Sequence, residues 1–272
     1  MIATSQSMQA EHRIRLRPIA LPIEHGGWSL VLEPIVLGLL LAPSATGLLI
    51  SLGALALFLA RHPYKIAVKD CQAHRRGRRT ALAGWFAILY FSAGAAALIM
   101  AITVGGPAFL FPLAVAAPIA VIQLVLDATG RSRSLVAELA GSIATGSLAT
   151  AIAMSGGWPR SIAFALWAVI VARSAPTILY LRARLRLARG KPANSMVPIL
   201  IHAAALLLVV LLARMELLPW LSVLPIVVLL FRAVTGLSKS ATRVTPQVLG
   251  VRELSFGLLT VLSVAIGAYL HL

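Results

Sequence analysis

Nine stretches of mostly apolar residues follow one another along the chain, over approximately 24–43, 45–64, 80–102, 107–126, 134–155, 160–181, 195–214, 217–236 and 248–271. Each has roughly the 17 to 25 residues that a helix needs to cross about 30 Å of hydrocarbon. Within a bilayer each backbone N–H and C=O must find its partner in protein, and a single run of this length achieves that only as a helix. The expected fold is therefore all-α: a polytopic transmembrane bundle of about nine helices in one domain over 24–272, preceded by a flexible basic arm over 1–23. The 272 residues are 60% hydrophobic and only 12% charged, which excludes a water-soluble globular chain.

Charge then orients the bundle. Lys and Arg number 24 against 8 Asp and Glu. With the N-terminus in the cytoplasm and the C-terminus outside, all basic residues except Arg160 and Arg214 fall on cytoplasmic segments, as positive charge retained on that side requires. Sidedness thus accounts for the formal net charge of +16, so the basicity does not imply nucleic acid; the partners it implies are anionic membrane lipids. The densest cluster runs from Arg61 through Lys65 and Lys69 to Arg75, Arg76, Arg78 and Arg79, and is expected as a cytoplasmic loop between the second and third helices. A second cluster, Arg173 to Lys191, follows the sixth. The connections on the other side, such as Ala42-Pro43-Ser44-Ala45 and Val104-Gly105-Gly106, are short and nearly uncharged, so chemistry is expected on the cytoplasmic side or inside the membrane. The arm carries Arg13, Arg15 and Arg17 without a separate apolar core and cleavage site, unlike a signal peptide. The lone Cys71 gives neither a disulfide framework nor a thiolate metal site.

Ionisable residues within the spans mark the candidate site. Glu33 lies nine residues into the first helix, about 13 Å deep at the helical rise, and Arg173 lies at a matching depth in the sixth. Each must face protein or water, and each is the other's natural partner, either as a structural ion pair or as the floor of a polar cavity. At the start of the first helix stand Glu24, His25, Gly26, Gly27 and Trp28, which are expected beside Arg61, His62, Tyr64 and Lys65 at the end of the second. Arg173, Thr177, Tyr180 and Arg184 fall on one helical stripe, with Arg182 beside it, and arginine forks suit phosphate or carboxylate oxygens. Arg252 and Glu253 open the ninth helix and either hold structure or close the mouth. Prolines 34, 112, 118, 176, 198 and 225 lie within spans, where they free carbonyls to line a central cavity.

The motifs Glu24-His25-Gly26-Gly27-Trp28, Arg61-His62-Pro63, Arg173…Tyr180-x-Arg182 and Gly250-Val251-Arg252-Glu253 resemble the YwiC-like family of bacterial membrane proteins, and imply a bacterial cytoplasmic (inner) membrane location. More distantly, the helix count and the two polar clusters are similar to the UbiA superfamily of intramembrane prenyltransferases. That superfamily holds magnesium on an isoprenoid diphosphate with two aspartate-rich motifs. Here the first cluster offers only Asp70, and the second has Arg182, Arg184 and Arg186 where carboxylates would stand. Carboxylates are too few for magnesium, so no cofactor and no metal are expected. The UbiA resemblance implies a divergent transferase or binder of an isoprenoid phosphate or other anionic lipid headgroup. In it Trp28, Arg61, His62, Tyr64, Lys65, Lys69, Arg173, Tyr180, Arg182, Arg184, Arg252 and Glu253 contact substrate, and Glu24, His25, Glu33 and Asp70 handle protons. A transporter of a small molecule or ion is the alternative, supported by the prolines and the intramembrane Glu-Arg pair. A haem-linked role through His25, His62 or His202 lacks an attachment motif. Both basic clusters, with Tyr64 and Tyr180, are expected to close over one cavity.

Overall fold

Seven helices of the protein, Ala45–Gln72, Arg78–Gly105, Leu110–Ala128, Leu135–Ser155, Arg160–Ala188, Met196–Arg214 and Val248–Leu270, are long and apolar enough to cross a membrane, and Gly27–Leu41 and Trp220–Gly236 are shorter apolar helices. The protein is a multi-pass membrane protein. The computed structural model describes residues 16–21, 25–75, 77–238 and 246–271, and among these there is no strand. In chain order the helices are α1 (Arg17–Ala20), α2 (His25–Leu41), α3 (Ala45–Gln72), α4 (Arg78–Gly105), α5 (Leu110–Ala128), α6 (Leu135–Ser155), α7 (Arg160–Ala188), α8 (Met196–Arg214), a 3-10 turn (Trp220–Ser222), α9 (Val223–Gly236) and α10 (Pro246–Leu270).

Three expectations change. The first basic cluster is not a loop up to residue 72: α3 continues helical through Arg61, Lys65 and Lys69 for 28 residues in all, and α7 likewise carries the second cluster through 29. Long cationic side chains reach polar surroundings from a continuing helix, so charge alone does not end one. The 1–23 stretch is described only at 16–21. There Pro18 heads one turn of helix, α1, whose Ile19 is buried, and His62 Nε2 lies 3.0 Å from the Pro18 carbonyl. Of the six prolines, 112, 198 and 225 stand in the first turn of their helices, where no backbone bond is lost; only Pro34, Pro118 and Pro176, with Pro63, are interior.

Capping and small residues explain the packing. Ser44 accepts from the Gly47 N–H at 2.9 Å to start α3, and Ser134 accepts from Ala137 N–H at 3.2 Å to start α6. α3 and α4 form a long hairpin that closes where Gly53 and Gly94 meet: a Cβ on Gly94 would stand 3.0 Å from Leu57 and 3.3 Å from the Gly53 carbonyl. Backbones approach this closely in lipid because dispersion contact is what holds such helices together. α2 does not lie along α3 as a hairpin partner but packs chiefly on α6 and α10. Its Gly38 abuts Ile152, and its Leu40 carbonyl accepts from Tyr269 at 2.5 Å. An apolar core lies within the bundle, in which Leu37, Leu166, Val169, Val209, Ile226 and Val264 are buried among α2, α7, α8, α9 and α10. A second core around Ile50, Phe109 and Ile152 joins α3 to α6. Buried hydroxyls link α6 to α7, Ser142 to Ser174 at 2.6 Å and Thr150 to the Ala163 carbonyl at 2.8 Å. Helix alternation then gathers the ends of α3, α5, α7 and α9 and the starts of α2, α4, α6, α8 and α10 at one face, the basic end.

Candidate functional site

The ionisable residues form two separate groups at this end. The first joins α3 to α5. Asp127, one residue past the expected end of its span, has a side chain only 2% exposed and takes two cations of α3. Arg61 binds it as a fork, Nε to Oδ2 at 2.5 Å and Nη2 to Oδ1 at 3.0 Å, while Lys65 Nζ lies 3.1 Å from Oδ1. A nearly buried carboxylate with two guanidinium bonds and an ammonium is fully compensated. Spacing supplies the geometry: Arg61 and Lys65 are four apart and emerge on one side of α3.

Beyond this clamp a cavity of about 460 Å³ opens between α3 and α5, lined by Tyr64, Lys65, Lys69, Gln72, Asp127 and Ser132 among others. Lys69 has no ion-pair partner among the described residues. The cavity thus presents one uncommitted ammonium, a second shared with Asp127, and the Tyr64 hydroxyl, a set that suits phosphate or carboxylate oxygens. Not every residue expected here arrives. His62 turns to α1 and Asp70 accepts from Thr80 at 3.1 Å across the α3–α4 turn. Trp28 sets its ring against Phe58 at 5.1 Å and so packs the start of α2 on α3. Glu24 and the side chain of His25 lie outside the described residues.

The second group is buried among α2, α7, α9 and α10. Arg173, 2% exposed, points Nη2 at Glu33 Oε1 at 3.2 Å, the pairing expected from their depths, and donates to the Glu253 carbonyl at 2.6 Å. Glu253 pairs with Arg232, and its Oε2 lies 3.8 Å from Arg173. Its adjacent Arg252 is exposed instead. Arg232 donates to Thr177 at 3.2 Å and is stacked between Tyr180, 4.3 Å from the ring centre, and Phe256, 4.7 Å away. Two acids and two bases so make a neutral cluster walled by aromatic rings, the condition under which charge persists in a low-dielectric interior. Glycines make the room: a side chain on Gly257 would overlap the Glu33 carboxylate, and one on Gly236 the Tyr180 hydroxyl. The stripe of Arg173, Thr177, Tyr180 and Arg184 is entirely buried, as its helical spacing allows.

Arg182 belongs to neither group. It binds Glu138 at 2.8 Å and the Arg133 carbonyl at 3.1 Å, tying α7 to the turn between α5 and α6. Among the described residues Tyr64 lines the α3–α5 space, while Tyr180 is packed against Arg232, so the two tyrosines lie in different groups. Asp127, Glu138 and Arg232 are partners that sequence reasoning left out. The usable signal was scarcity: with 8 acidic residues among 24 basic ones, an acid on or beside an apolar span is the predictable counter-charge of a neighbouring helix. No three His, Cys, Asp or Glu side chains come together as metal ligands among the described residues.

No curated protein and no solved structure matches the chain. Residues 21–153, from just before α2 to the last turns of α6, match the family model described as YwiC-like protein, and this stretch, which includes the Glu24-to-Trp28 and Arg61-His62-Pro63 motifs, is similar to that family.

Proposed function

We propose that this protein binds an anionic lipid headgroup in the cavity between α3 and α5, at the cytoplasmic face of the bacterial inner membrane. The observation that carries the reading is Lys69, without an ion-pair partner among the described residues, beside Lys65 in a space of about 460 Å³ next to lipid-spanning helices. Phosphate oxygens would take charge-assisted bonds from both ammonium groups, with Tyr64 as a neutral donor. An isoprenoid phosphate is the ligand that the distant UbiA likeness suggests, and a divergent transferase activity on it is part of the same proposal. Basic side chains, not a carboxylate-held metal, are the phosphate-gripping groups in this reading.

Lipid extracted from the purified protein and weighed by mass spectrometry tests it. An anionic species is expected to co-purify and to be depleted in the Lys65→Gln/Lys69→Gln variant, with affinity for a short-chain isoprenoid phosphate falling about tenfold or more per lost ammonium. Arg78→Gln/Arg79→Gln, at the start of α4, is expected to leave binding within about twofold, since those charges only meet the membrane surface. Equal losses from both pairs would reduce the basic end to a surface anchor.

The orientation is part of the proposal. Nine crossings, with α2 and the 220–236 helix as the short ones, put all basic residues except Arg160 and Arg214 on the cytoplasmic side. Reporters fused after Arg79 and after Lys191 are expected to be cytoplasmic, and one fused at Leu272 external. A cytoplasmic C-terminal reporter would remove one crossing and this topology with it.

A further inference from the structure

The cluster of Glu33, Arg173, Arg232 and Glu253 plays no part in the headgroup cavity, and its bonding is uneven. Glu253 faces both guanidinium groups, with Arg232 paired to Oε1 and Arg173 3.8 Å from Oε2. Among the described residues Glu33 has an ion pair with Arg173 alone, at 3.2 Å, and its buried Oε1 makes no hydrogen bond. Arg173 Nε, Arg232 Nε and Glu253 Oε2 are likewise buried without a hydrogen-bond partner. Two donors and two acceptors are thus unsatisfied side by side, whereas elsewhere among the described residues only the single side-chain atoms His202 Nε2 and Ser222 Oγ are buried without a partner. Glu33 is only 8% exposed, so it is not a carboxylate relaxed by water. Of the two acids it is the one least held in its charged form.

We infer that Glu33 is a proton-binding site inside the bundle. A proton delivered by hydronium from the basic end bonds to Oε1 of the Glu33 carboxylate. The carboxylate becomes a neutral acid, and the cluster passes from zero to one net positive charge. The ion pair between α2 and α7 is then lost, leaving a neutral acid beside a guanidinium, while Glu253 keeps both arginines and stays anionic. The surroundings agree. Arg173 and Tyr180 of α7, Arg232 of α9 and Glu253 of α10 make up the cluster and its wall. Glu138 of α6 is committed to Arg182, and Arg61 and Lys65 of α3 to Asp127. From α8, His202 presents its ring edge-on to Tyr180 at 6.4 Å. Its Nδ1 lies 2.7 Å from the Pro198 carbonyl, which can only accept, so Nδ1 carries the hydrogen and the buried Nε2 is a lone pair. A carboxyl that changes charge here alters how α2 is held against α7 and α10, the kind of event by which intramembrane acids couple protons to movement.

Infrared difference spectra of the purified full-length protein, taken between mildly alkaline and mildly acidic buffer, test this directly. A carboxylic-acid C=O band is expected on acidification, absent in Glu33→Gln, displaced in Glu33→Asp, and retained in Glu253→Gln. Where Glu33→Gln does not fold, displacement of the band in Glu33→Asp decides. No band in the unmodified protein, a band indifferent to the Glu33 variants, or one that moves only with Glu253→Asp would overturn the assignment. Lipid retention is a separate measurement, so failure of this reading leaves the headgroup cavity standing, and the reverse.

Discussion

Arg173→Met is expected to destabilise the folded protein by about 3 to 5 kcal/mol, the range for removing one member of a buried ion pair. Its guanidinium is 2% exposed and serves the Glu33 carboxylate, the Glu253 carboxylate and the Glu253 carbonyl together. Methionine fills much of the volume but strands the acid on α2 in a low-dielectric interior. Glu253 fares better because Arg232 remains paired with it. Adding Glu33→Gln to Arg173→Met should therefore restore part of the melting temperature in detergent, since the stranded charge is gone. Glu33→Gln alone should cost less than Arg173→Met, because its amide oxygen can still face Arg173. Strictly additive losses in this cycle would mean that the two side chains do not act on each other.

Asp127→Asn is expected to cost about 2 kcal/mol. Its carboxylate is almost fully buried, which argues for a large loss, yet Arg61 and Lys65 are 29% and 27% exposed and water screens part of what they would lack. The α3–α5 clamp would loosen beside the cavity, so the melting temperature and lipid retention should fall together. Lys65→Gln introduced with Asp127→Asn should recover part of the stability, because one unbalanced cation is removed with its partner. It should not recover lipid binding, which needs that ammonium. Parallel recovery of both would show that Lys65 acts only through the clamp and would shift the ligand contact to Lys69 alone.

The pairing of Glu33 with Arg173 was legible because a helix has a fixed rise: counting residues from each membrane boundary gave two charges at one depth, and opposite charges at one depth in hydrocarbon meet. That Arg173, Thr177, Tyr180 and Arg184 share one stripe followed from the same periodicity, but that the stripe is buried came only from the packing of α7. Asp127 was not legible in this way. It sits at a helix end, where an acid is ordinarily solvated, and only the lateral placement of α5 beside α3 turns it toward Arg61 and Lys65. Arg232 was not legible as a partner either, because nothing in its local sequence reveals that Tyr180 and Phe256, 52 and 24 positions away, will stack on its two faces.

The sequence by itself determined that this is an all-helical, multi-pass membrane protein, since the length of an apolar run is set by bilayer thickness and backbone bonding leaves no other solution. It also determined the depth of each charge along its helix, because rise per residue is a local property. Which helices are neighbours was decided only by tertiary structure. Apolar spans look alike to lipid, and small contacts such as Gly38 on Ile152 and Gly53 on Gly94 choose among them without a pattern readable along one chain. For that reason α2 packs on α6 and α10 instead of lying along α3, and the basic residues divide between a clamp on Asp127 and a buried cluster around Arg173.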